Sequence, residues 1–177
     1  MMSAEATAER VREGLAGLDC EALESRDGMT TLRCELAAVP EVAAALRDRC
    51  GFELSTCVTA VDHGMEREEQ GRPRFDMIWQ LQSVTHADRL RLHAWVGEEL
   101  RVPSLVGLWP GIAYGERECF DMFGIAFDGH AGLKRLLMPE AYEHFPLRKD
   151  FPHQGIEPDK LYRAWDASRR ADAGGAS

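Results

Sequence analysis

The 177 residues contain no apolar run near the ~18 that a membrane-spanning helix requires. Cations are also in deficit. Lys and Arg number 21 against 30 Asp and Glu, a net charge of -9. A broad nucleic-acid surface needs clustered cations, as does adsorption to anionic lipid, so both roles are disfavoured. Cysteine is scarce and scattered: Cys20, Cys34, Cys50, Cys57 and Cys119 form no CxxC or CxH pair. The odd count disfavours a disulfide framework, and iron–sulfur ligation usually shows clustered Cys. The expectation is five scattered buried thiols. The start, Met1 to Arg10, has no basic segment followed by an apolar one, and Glu5, Glu9 and Glu13 speak against a mitochondrial presequence. A bacterial cytoplasmic protein is expected, held at a membrane only by a partner. GxGxxG, GxSxG and the phosphate loop GxxxxGK are missing too, so no nicotinamide, flavin or cluster site is expected on this chain.

What is present is a period. Residues 4–18 place Val11, Leu15 and Leu18 at helical spacing. Residues 29–36 alternate, with Leu32, Cys34 and Leu36 on one side. Pro40 can open a helix that Gly51 closes, burying Val42, Ala45 and Leu46. Three strands are expected next. They carry Phe52, Leu54, Val58 and Ala60 (52–61), then Phe75, Met77, Trp79 and Leu81 (74–82), then Leu90, Leu92, Ala94 and Val96 (89–96). Polar linkers at 62–72 and 83–88 are short enough for antiparallel neighbours. A last helix spans Pro110 to Phe123, with Gly124 as its stop. One apolar face per strand implies a sheet covered on one side. The fold expected is α+β: a two-layer α/β sandwich with a mostly antiparallel sheet, helices on one face and an extended C-terminal arm. The core domain spans residues 1–127. The arm and its polar tail, loose from His153 onward or ordered on another protein, span 128–177.

Three clusters carry the remaining chemistry. In the last helix Glu116 falls inside the apolar stripe of Ile112, Ala113, Cys119, Phe120 and Phe123. It must reach water or meet a cation, since burying an unpaired carboxylate is costly. Arg117 and Asp121 stand four residues apart and can pair. The second cluster joins Gly129 and His130 to Arg135. His130 lacks a second ligand at metal spacing, so a satisfied loop histidine is the plainer reading. A free-standing hydrolase using His130 with Glu116 or Asp128 is the alternative from another class. The third cluster is Pro146, Leu147, Arg148, Lys149 and Asp150. Arg135, Arg148 and Lys149 suit either neutralising Glu116 or Glu118, or docking on an acidic partner.

Residues 116–130 (Glu116-Arg117-Glu118, two residues, then Asp121-Met122-Phe123-Gly124-Ile125, with Phe127, Gly129 and His130) closely resemble the signature of the respiratory complex I 30 kDa family, its C subunit. Leu133-Lys134-Arg135-Leu136-Leu137 and Pro146-Leu147-Arg148-Lys149-Asp150-Phe151-Pro152 continue it. Ala131, Gly132 and His144 depart from the family's usual residues. The resemblance implies a non-catalytic peripheral-arm subunit of a proton-pumping NADH-quinone oxidoreductase, at the cytoplasmic side of the inner membrane. It would pack on the quinone-site subunit (the D subunit), near the B and I subunits. Flavin and iron–sulfur clusters would sit on partners, with no cofactor here. Glu116, Arg117, Glu118, Asp121, Gly124, Gly129, His130, Arg135, Pro146, Leu147, Arg148, Lys149 and Asp150 become interface or arm-anchoring residues. The same motifs would suit a homologous subunit of an energy-converting hydrogenase or a ferredoxin- or F420-linked dehydrogenase.

Overall fold

The computed structural model describes residues 4–156, together with 163 and 167. Apart from those two positions, the polar tail expected beyond Ile156 lies outside the described residues. Helix α1 (Ala4–Gly14) precedes a short strand β1 (Glu21–Leu23) and β2 (Thr30–Arg33), and α2 spans Val39–Asp48. Then follow β3 (Leu54–Asp62), a short helix α3 (Met65–Glu69), β4 (Phe75–Ser83) and β5 (Asp88–Val96). After these come β6 (Arg101–Pro103), α4 (Ala113–Phe123) and β7 (Ala126–Asp128).

Five strands form one sheet in the order β1-β2-β5-β4-β3. Its neighbours are antiparallel except β2 and β5, which run parallel. Strict alternation in β4 and β5 buries Phe75, Met77, Trp79, Leu81, Leu90, Leu92, Ala94 and Val96. Against them pack Val11 of α1, with Leu15 just beyond its end, and the Val39, Val42 and Leu46 stripe of α2. Thr7 and Arg10 of α1 both donate to Asp88 at the start of β5, which fixes that helix on the sheet.

Strand β3 departs from simple alternation. A bulge between Ser55 and Cys57 leaves Thr56 outside the residue-to-residue register with β4. A one-residue offset exchanges the two faces of a strand. Val58 and Ala60 therefore point inward as expected, but Leu54 turns outward at 47% exposure. The same region corrects the cysteine expectation: Cys57 is exposed and Cys20 half-buried, while Cys34, Cys50 and Cys119 are buried. α4 lies on the inner face against β3, where Gly115 lets its backbone approach; a Cβ there would stand 3.2 Å from Val58 Cβ. β6 and β7 pair in parallel and clamp the two ends of the α4 segment. On the outer face Arg33 and His93 meet Asp76, and the guanidinium groups of Arg33 and, from α3, Arg67 lie over the Trp95 ring.

Candidate docking site of the C-terminal arm

From Gly129 to Ile156 the described chain has no regular element, yet residues 130–151 follow the core closely through polar contacts made by α4 and the end of β3. Asp121, fully buried on α4, organises the first lock. Its Oδ2 accepts the backbone N–H groups of Leu136, Leu137 and Met138 at 3.0, 2.6 and 2.9 Å. Its Oδ1 accepts Arg135 Nη1 at 2.7 Å. Burial pushes this carboxyl upward, but the three amides and the guanidinium outweigh it and hold its pKa below the ordinary range. Arg117 reaches past Asp121 and donates to the carbonyls of Lys134 and Arg135. The expected Arg117–Asp121 pair is thus not made: both side chains serve the arm, because its backbone offers donors to one and acceptors to the other.

Asp62, the last residue of β3, organises the second lock. Arg74 donates to both of its oxygens, Nε to Oδ1 at 2.8 Å and Nη2 to Oδ2 at 2.6 Å. Gly64 N–H completes Oδ1, and the arm's Lys149 N–H completes Oδ2 at 2.7 Å. Arg74 Nη2 also binds Asp150 at 2.6 Å, so one guanidinium joins core and arm. Burial would raise Asp62, but Arg74 and the two amides bring its pKa down to about 2. Arg148 closes the set. Its Nε donates to the Phe123 carbonyl at 2.6 Å, and its guanidinium lies 4.3 Å from the centre of the Phe145 ring. It passes over Gly124, whose φ of 76° ends α4 and whose missing side chain makes the space.

Glu116 reaches neither water nor a cation, contrary to expectation. It is wholly buried and bound by Ser104 Oγ at 2.6 Å and the Leu105 N–H at 2.8 Å. Burial dominates and raises its pKa above the ordinary carboxylate range. Arg135, Arg148 and Lys149 therefore do not neutralise it: Arg135 is spent on Asp121, and Arg148 on a carbonyl and aromatic rings. His130 is a satisfied loop histidine. Its Nε2 lies 3.1 Å from the Ala113 carbonyl, and its Nδ1 accepts the Gly132 N–H at 3.1 Å. This fixes the Nε2–H tautomer and leaves no lone pair for base or metal. Asp128 pairs with Arg101. The hydrolase reading thus loses all three of its residues. Among the described residues no group of three His, Cys, Asp or Glu is placed to hold a metal ion.

Of the arm's charges, Arg135 and Asp150 are met by the core, through Asp121 and Arg74. Glu118, Lys149 and Leu147 keep exposed side chains, and Gly129 turns the chain with a φ of 87°. Sequence reading missed Asp62, Arg74 and Ser104. A signal for Asp62 existed: it continues the inward series Val58 and Ala60, and a carboxylate at a core-facing strand position needs a cation.

The family described as "Respiratory-chain NADH dehydrogenase, 30 Kd subunit" matches residues 32–157, which contain both locks. The NADH-quinone oxidoreductase C subunit of Rhodopseudomonas palustris (strain BisB18) is 41% identical over 132 residues, 73% of this chain and 63% of that one. The chain thus spans less than two thirds of that relative. A protein of Sulfurihydrogenibium sp. (strain YO3AOP1), named as a joint C/D subunit of NADH-quinone oxidoreductase, is 41% identical over 110 residues. That match covers 62% of this chain and 18% of the joint protein. Among solved structures, a trypsin-resistant fragment of Nqo5 superposes with a TM-score of 0.59 at 27% identity, covering 75% of this chain and all of the fragment. With more than half of its residues inside the matched span and both locks among them, the chain belongs to the 30 Kd subunit family of the respiratory-chain NADH dehydrogenase.

Proposed function

We propose that the chain is a structural subunit of the peripheral arm of a proton-translocating NADH-quinone oxidoreductase, supporting electron transfer from NADH to quinone without holding a redox centre. One observation carries this reading: a relative matches this chain over only 18% of its length and bears a joint C/D name. Two subunits can share one polypeptide only where they can stand side by side, so the quinone-site subunit, D, is the proposed first neighbour. The B and I subunits are proposed nearby, with flavin and iron–sulfur clusters on the partners. Among the described residues no helix is long and apolar enough to cross a membrane. In this reading partners hold the chain at the cytoplasmic side of the bacterial inner membrane.

The two locks give the reading a physical basis. A strap already fixed on its own core loses little conformational freedom when a partner lands on it. Its outward side carries Leu137 and Leu147, 64% and 52% exposed, and Lys149 is exposed as well. The test is affinity purification of the tagged chain from its host's membranes. Co-recovery of the quinone-site subunit is expected; a chain recovered without it would refute the proposal.

A further inference from the structure

The antiparallel register of β1 on β2 aligns Glu21 with Arg33, Ala22 with Leu32 and Leu23 with Thr31. One step along the same register sets Cys20 opposite Cys34. Alternation puts Cys20 on the side of Ala22 and Cys34 on the side of Leu32. That side faces the groove beneath α1, which Val11, Leu15, Cys20, Ala22 and Leu32 line. The two thiols are close enough for each to influence the other's ionisation. Opposed residues of an antiparallel pair have Cα atoms ~4.5–5.5 Å apart, inside the ~4.4–6.8 Å that a disulfide spans. Neither thiol takes part in the arm locks. Both lie at the far edge of the sheet from β3.

We propose that Cys20 and Cys34 form a modification site, a dithiol that a peroxide closes into a cross-strand disulfide and thereby fastens the edge strand β1 to β2. Sequence spacing hides the pair, because only the turn between the two strands brings the residues together. Cys20 is half-buried and Cys34 buried, so Cys20 meets the oxidant first. The Cys20 thiolate attacks one oxygen of hydrogen peroxide. The O–O bond breaks, the departing hydroxide takes up the thiol proton as water, and Cys20 becomes a sulfenic acid. The Cys34 sulfur then attacks the Cys20 sulfur. The S–O bond breaks, the S–S bond forms, and hydroxide leaves with the Cys34 proton as a second water. The two thiols lose two electrons, and one peroxide is reduced to two waters. Burial raises both thiols, Cys34 to about 12, so the pair is a slow responder and not a catalytic one.

The consequence falls on the weakest part of the sheet. β1 is three residues long, forms the sheet's outer strand and exposes Glu21 and Ala22. A disulfide there closes a loop of about 15 residues in the unfolded chain and confines it. The test uses the full chain in a Cys57→Ser background, since Cys57 is the exposed competitor. The reduced protein is treated with hydrogen peroxide, alkylated, digested and mapped by mass spectrometry. A peptide joined through Cys20 and Cys34 is expected. The intact mass should fall by two hydrogens, with a Tm higher by roughly 5–10 °C that a dithiol reductant reverses. Cys34→Ser should instead hold Cys20 as a sulfenic acid that dimedone captures, with no rise in Tm. The same peptide map on the unsubstituted chain decides the linkage even if a variant folds poorly. Full alkylation of Cys20 and Cys34 after peroxide, or a linkage joining any other pair, overturns the proposal.

Discussion

Asp121 and Glu116 stand on one helix, both fully buried, and their pKa values move in opposite directions for reasons visible in their donors. Asp121 meets a guanidinium and three amides, so charge is retained. Glu116 meets one hydroxyl and one amide, so burial wins. Asp121→Asn turns an acceptor into a donor that must face either Arg135 or the three N–H groups. It is expected to cost ~3–5 kcal/mol in urea denaturation, the usual penalty for breaking a buried pair from one side. Glu116→Gln keeps the acceptor for Leu105 and offers its amide to Ser104, so at pH 5 it should lie within ~1 kcal/mol of wild type. The folded pKa of Glu116 is raised above 4.5. Its contribution to stability is therefore full below that value and declines as pH rises through the folded pKa. Glutamine does not titrate, so stability curves from pH 5 to 8 should move in the variant's favour. For Asp62 the sign is reversed. Its folded pKa is lowered from 3.8 to about 2, so its support for the arm is present above pH 4 and lost as pH falls toward 2. Hydrogen exchange at the Lys149 amide should accelerate over that window.

Among the elements, those with a full period were the legible ones. β4 and β5 alternate without interruption and α2 carries a complete apolar stripe, so their core residues match the sequence reading, whereas α4 begins at Ala113 after a 3-10 turn at Pro110–Ile112 and buries Asp121 as well as its expected stripe. The three-residue strands β1, β6 and β7 are too short to show any period, and α3 lies inside a linker that reads as polar. The β3 bulge shifted Leu54 because nothing in the local composition marks where an extra residue is inserted. The signature residues of the arm were visible by type, but their partners were not: Asp62 meets Lys149 across 87 residues of sequence. Gly124 is the exception, readable both as a helix stop and as an opening for the arm. A Cβ on Gly124 would overlap Arg148 Nη2 and stand 2.8 Å from Phe145 Cζ, at a φ of 76°. Gly124→Ala should therefore cost ~1–2 kcal/mol from backbone alone. It should also expose Arg148 and Lys149 to trypsin while far-UV circular dichroism of the core stays unchanged.

At the scale of the whole molecule, the locks divide the arm into an inner side that serves folding and an outer side available to a partner. Arg148 belongs to the inner side through the Phe123 carbonyl and the Phe145 ring. Lys149 gives its backbone N–H to Asp62 but leaves its side chain exposed, and Leu147 is likewise outward. Two sets of substitutions separate these jobs. Lys149→Ala and Leu147→Ser keep both locks on the core. They should leave the isolated chain within ~0.5 kcal/mol of wild type, as surface changes do. Arg148→Ala removes a charge-assisted hydrogen bond and a cation–π contact and should cost ~2–4 kcal/mol. If the strap is a docking surface, the first pair lowers recovery of the quinone-site subunit at unchanged stability. Arg148→Ala lowers stability and complex abundance together, with little change in the quinone affinity of what assembles. Normal complex abundance in all three variants would mean that the strap serves only its own core.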